Sequence, residues 1–170
     1  MRAVKTTTIA ILSLCLLAGS AVGVAAQDAD PAAPSVWSGE LVPAEGEQIS
    51  FEETPTYLEL LGRDTGQIEA SDSRISGDWE QVLAVRVFDP EGDGAVLQTA
   101  TVRVENDGGS WNGTYSGWAG GPSSQGWNVL TGEGGYDGLT AVFSQSGEGA
   151  LEGLIVPGVA PAVPEAPPAE

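Results

Sequence analysis

Between Val36 and Gly158 the chain never sustains a helical spacing of apolar residues for more than two turns; it alternates instead. Glycine, proline, asparagine and aspartate interrupt the alternation, so the segment reads as short strands joined by turns. In Ala95–Asn106 (AVLQTATVRVEN), Ala100, Val102 and Val104 share one face, while Thr99, Thr101, Arg103 and Glu105 share the other. That is the pattern of a strand with one dry and one wet face. Asp78–Phe88 (DWEQVLAVRVF) is the other long strand candidate. Shorter runs lie at Tyr57–Leu61, Ser110–Trp118, Trp127–Thr131, Leu139–Ser144 and Leu151–Val156.

The predicted turns are Asp89–Gly94, Asn106–Gly109, Gly132–Gly138 and Ser146–Gly149, each rich in residues that tolerate tight or left-handed backbone. Asn112-Gly113 is a competing hairpin signal, but it lies too close to Asn106–Gly109 for both to form. The first turn separates two alternating runs, so Gly113 is placed inside a strand, where a bulge, a bend or a close backbone neighbour is expected. About eight strands on short turns imply an all-β domain. A single antiparallel up-and-down β-barrel is preferred to a β-sandwich, because the glycine-rich C-terminal half can bend strongly and closure removes exposed strand edges.

The flanks differ from this body. Residues 1–26 resemble a signal peptide, with Arg2 and Lys5, the apolar run Ile9–Leu17, and Val24-Ala25-Ala26 before a cleavage point at Gln27. The apolar run is shorter than the ~20 residues that span a bilayer. Leu14 precedes Cys15 where lipidation would need a small residue, so a secreted protein is expected, periplasmic if the host has an outer membrane. Residues 27–35 form a polar lead-in, 36–158 the barrel domain, and 159–170 an extended, disordered tail with four prolines.

Charge narrows the functional classes. The sequence holds 24 acidic and 6 basic residues, no histidine, and a net charge of −18. Removal of the leader would take Arg2 and Lys5 with it, leaving four arginines and a charge of −20. Such a surface repels nucleic acid and anionic membranes, and favours solubility, cations and basic partners. Without histidine there is no Ser-His-Asp chemistry, and loss of Lys5 also removes a serine–lysine pair. Cys15 is the only cysteine, so the exported domain has no disulfide and needs a packed core. The glycine-rich stretch Gly132–Gly138 precedes no helix and is accompanied by no lysine, so it is not a phosphate cradle.

Thr131–Ala141 (TGEGGYDGLTA) resembles the glycine-rich hairpin of small β-barrels of the dirigent and allene oxide cyclase type. With Trp111–Gly113 upstream it is also similar to small secreted bacterial proteins of uncharacterised role. The resemblance implies a barrel and carries no catalytic residue onto this chain.

Two constellations are candidate sites. Trp111, Tyr115, Trp118, Trp127 and Tyr136 crowd into one quarter of the chain. Trp111 and Tyr115 share a strand face and Trp118 takes the other, so the rings either fill the barrel or offer flat surfaces to a sugar or an apolar ligand. Asp89, Glu91 and Asp93 before Gly94 have the spacing of the first half of a calcium loop. Ala100 stands where the closing glutamate belongs and Pro90 interrupts the loop, so a plain acidic hairpin is expected. A weak Ca²⁺ site assisted by Asp107 or Asp72 is the alternative, and no other cofactor is implied. Arg86 and Arg103 are expected to pair with glutamates across the sheet. The resulting expectation is a secreted, non-enzymatic barrel that binds a small apolar or carbohydrate ligand through its aromatic residues. The alternatives are a cyclase- or isomerase-like enzyme with a hydrophobic barrel pocket, and a structural component of the cell envelope or matrix.

Overall fold

The structure is a computed structural model that describes residues 32–88, 94–120, 123–146 and 149–160. Eight antiparallel strands follow one another around a closed barrel: β1 (Ser35–Glu53), β2 (Tyr57–Ala70), β3 (Gly77–Phe88), β4 (Val96–Asn106), β5 (Gly109–Gly120), β6 (Ser123–Gly134), β7 (Leu139–Ser146) and β8 (Ala150–Pro157). Each strand pairs with its sequence neighbour, and β1 closes on β8 through Ser35–Glu40. The up-and-down barrel expected from the alternation is therefore the fold, and the sandwich is not.

The ladder is staggered. From Trp37, successive cross-strand partners run through Gly153, Phe143, Asn128, Tyr115, Ala100, Leu83 and Gly62, and return to β1 at Gln48, eleven residues further along. Closed barrels require such a stagger because their strands tilt against the barrel axis. It also explains why β1 needs 19 residues: its start closes the barrel on β8, and its remainder pairs with β2 alone.

β1 and most of β2 escape the alternation argument for a physical reason. From Val42 onward both faces of β1 are exposed, so burial imposes no period on the sequence. Register shifts between Pro43 and Glu45, and between Gln48 and Ser50, also break its parity. In β2 the inward positions between Leu60 and Ile68 are Gly62, Asp64 and Gly66, which carry no apolar signal.

Inward-facing side chains fill the barrel. Trp111, Leu130, Ile155, Val104 and Ala141 have no exposed surface, and Phe143 packs against Trp37 with ring centroids 5.1 Å apart. An apolar interior with charges such as Glu59, Arg63, Glu80 and Arg86 on the outer wall is the reverse of a lipid-spanning barrel, whose outward band is apolar. No helix among the described residues is long and apolar enough to cross a membrane.

One end is closed by its own turns. Ile75, from the connection between β2 and β3, is fully buried, and Tyr136, from the turn after β6, stacks on Trp111 at 5.0 Å and 16°. Asn106 ties both plugs to the ladder. Its amide donates to the carbonyls of Ser76 (2.7 Å) and Arg74 (3.1 Å), and its Oδ1 accepts from the Tyr136 hydroxyl (2.6 Å) and the Gly108 N–H (2.9 Å). The Trp111 indole N–H donates to the Arg74 carbonyl at 2.7 Å.

Candidate functional site

The five aromatic residues singled out by the sequence do not share a surface. Strand parity sends Trp111 and Tyr115 inward and Trp118 and Trp127 outward, while Tyr136 reaches the core from its turn. Trp111 is held by Tyr136 and the Arg74 carbonyl. Tyr115 lies over Gly117 and Gly126, and its hydroxyl donates to the Gln98 Oε1 at 3.0 Å. Burial pushes the Tyr115 phenol above its ordinary pKa, because the phenolate loses its hydration there. These three rings are packing elements.

Gly113 shows why the interior can hold them. A Cβ there would lie 2.0 Å from the Val129 carbonyl oxygen and 2.8 Å from the Leu130 Cα, so the strand has room only for a hydrogen. This is the close backbone neighbour expected of a glycine in mid-strand.

Trp118 and Trp127 are 53% and 61% exposed on the outer wall. In the register Trp127 lies between Ser116 on β5 and Ser144 on β7, and Trp118 between Leu97 on β4 and Gln125 on β6. Small hydroxyl neighbours on both sides of Trp127 leave its indole accessible. An open groove of about 370 Å³ adjoins it, lined by Gln125, Gly126, Trp127, Ser144, Ser146 and Glu152 among others. That size lies at the lower end of the range for small-ligand clefts, roughly 300–1,000 Å³.

The wall around these residues carries little charge apart from Glu152 of β8, which lines the groove beside Trp127. β5 and β7 carry no charged side chain, and β6 carries only Glu133, near its far end. Thr99, Thr101, Thr114, Ser116, Gln125 and Ser144 supply hydroxyls and amides in place of carboxylates. The acidic residues cluster on β1–β3 instead. The arrangement offers two indole surfaces, neutral hydrogen-bonding groups and the single carboxylate of Glu152.

The metal candidates Asp89, Glu91 and Asp93 lie outside the described residues. Among the described residues no group of three or more His, Cys, Asp or Glu side chains is arranged to hold a metal ion. Asp72, offered as a helper for calcium, is engaged otherwise. Its carboxylate pairs with Arg74 at 2.7 Å and accepts from the Ser35 hydroxyl at 2.5 Å. Hydrogen bonding from Arg74, aided by Ser35 and opposed by desolvation, lowers its pKa to about 2.

Arg86 pairs with Glu59, its direct partner across β2 and β3, and its guanidinium lies 4.7 Å from the Tyr57 ring centre. Arg103 pairs with Glu105 on its own strand face at 3.0 Å rather than across the sheet. Sequence reasoning missed the Asn106 hub, which it read only as a turn residue, and the Ser35–Asp72–Arg74 cluster. The contacts of Asn106 with Ser76 and Tyr136, and of Ser35 with Asp72 and Arg74, join residues thirty or more positions apart, and no local pattern announces such contacts.

Comparison with protein families, curated proteins and solved structures yields no match. The functional reading therefore rests on the wall itself.

Proposed function

We propose that this protein is an exported, non-catalytic carbohydrate-binding barrel that holds uncharged sugar rings on its outer wall through Trp118 and Trp127. The observation that carries the reading is the exposure of these indoles, 53% and 61%, on a wall whose polar groups are mostly serine, threonine and glutamine. Elsewhere a protein with a net charge of −18 is densely acidic. An indole presents a large apolar surface of low conformational entropy, which suits the C–H face of a sugar ring. The surrounding hydroxyls and amides can exchange hydrogen bonds with sugar hydroxyls without carrying charge. The acidity of the rest of the molecule repels anionic glycans, so the ligand class is neutral. The rings that an interior pocket would require, Trp111 and Tyr115, are already occupied by packing and hydrogen bonds, which weighs against the cyclase-like alternative. The leader-like segment and the absence of histidine support export and a non-catalytic role.

The test is co-sedimentation of the purified protein with insoluble cellulose, chitin and starch. Retention by at least one of them is expected, with a loss of about tenfold in affinity in Trp127→Ala and Trp118→Ala variants of unchanged Tm. Retention by none of the three, or retention that survives the double substitution, would overturn the reading.

A further inference from the structure

We infer that the open edge of β1, from Val42 to Glu53, is a docking edge for an extended basic segment of a partner protein, taken up as an added strand. The inference does not rest on the carbohydrate reading, which concerns Trp118 and Trp127 on β5 and β6.

Among the described residues β1 pairs on its β8 side only through Ser35–Glu40, followed by one bond from the Leu41 N–H to the Gly149 carbonyl at 2.9 Å. Beyond that point the ladder to β2 continues to Glu53, while among the described residues no strand lies beside the other edge. The cause is the barrel's stagger combined with a β8 of only eight residues. A strand edge of this kind presents backbone donors and acceptors in the spacing another strand needs, and added strands gain affinity from those main-chain bonds.

Charge selects the occupant. Glu45, Glu47, Glu52 and Glu53 are exposed along this edge. The four arginines of the described chain are each paired with another carboxylate: Arg63 with Glu80, Arg74 with Asp72, Arg86 with Glu59 and Arg103 with Glu105. Of the edge glutamates, Glu47 lies across the ladder from Arg63 and Glu52 lies within reach of the Arg86 charge, while Glu45 and Glu53 stand opposite Thr65 and Leu58. A second copy of this chain would bring the same glutamates against each other. Pro43, which lacks an N–H, and the two register shifts further spoil a self-match. A lysine- or arginine-bearing strand meets no such repulsion. Val42, Ile49 and Phe51, between 41% and 53% exposed, give it apolar side chains to cover.

The test uses the intact protein and three labelled octapeptides: alternating lysine and threonine, the same peptide with alternate backbone nitrogens methylated, and alternating glutamate and threonine. Fluorescence anisotropy should show binding of the first only, with the methylated peptide at least about tenfold weaker although its charge is unchanged. Amide hydrogen exchange across Val42–Glu53 should slow in the complex. The combined substitution E45Q/E47Q/E52Q/E53Q, confined to exposed side chains, should abolish binding at unchanged Tm, whereas Trp127→Ala should leave it intact. Equal binding of the methylated peptide would reduce the effect to charge attraction without strand addition and overturn the proposal. Absence of binding would do the same. So would a dimer in sedimentation with these amides already protected, which would assign the edge to a second copy.

Discussion

At the base of the barrel Trp111 has no exposed surface, while Trp127 on the neighbouring strand keeps 61% of its own. Both are indoles in glycine-rich β-structure, and both come from the same quarter of the sequence. Their environments differ because of strand parity and of what closes over each. Trp111 points inward, where Tyr136 stacks on it and the Arg74 carbonyl satisfies its N–H. Trp127 points outward between two serines, and among the described residues no ring stacks on it. Aromatic content alone therefore says nothing about role; the face of the strand decides whether a ring is structure or surface.

That contrast can be broken by substitution. Trp111→Ala should cost about 3–5 kcal/mol, because it removes a buried ring and leaves a cavity beneath Tyr136. Chemical denaturation measures this, and a loss below 1 kcal/mol would show that the base is not packed as described. Gly113→Ala comes next, with an expected cost of about 3 kcal/mol, the upper end for overpacking, since the obstructing Val129 carbonyl is backbone and cannot rotate away.

The base should also respond to acid. The Asp72 pKa of about 2 lies below its ordinary 3.8, so its ion pair stabilises the fold above about pH 4 and is lost as pH falls through 2. The part-buried carboxylate contributes on the order of 1 kcal/mol at neutral pH once solvent screening is allowed for, and Asp72→Asn should remove that and flatten the acid side of the stability curve. An unchanged acid transition in the variant would show that Asp72 and Arg74 do not staple the β2–β3 connection. The smallest stability effect belongs to the wall: Trp127→Ala should change stability by no more than about 0.5 kcal/mol, as exposed sites do. A larger loss in a thermal melt would make Trp127 a packing residue and undo the comparison.

Much of the fold was legible in the chain because strands such as β4 and β5 bury one face and expose the other, which writes a period of two into the sequence. The Asn106–Gly109 turn and the mid-strand position of Gly113 were readable for the same reason. β1 was not, because a strand exposed on both faces is under no such constraint and its two register shifts scramble the remaining pattern. The candidate site was legible by half. Its two outward tryptophans were among the five aromatic residues that stood out, but parity within a strand cannot say which face becomes the interior.

The amino-acid sequence by itself determined the class of fold, the order of most strands, the turns at Asn106–Gly109 and Gly132–Gly138, and the acidic character. Each of these follows from local backbone preference or from composition. Closure of the barrel decided the rest. Only when β1 met β8 did Trp111, Tyr115 and Tyr136 become core, Trp118 and Trp127 become surface, and the second half of β1 become an edge. Inside and outside, like a paired and an unpaired strand edge, are defined by contacts between residues far apart in the chain, and no local pattern contains them.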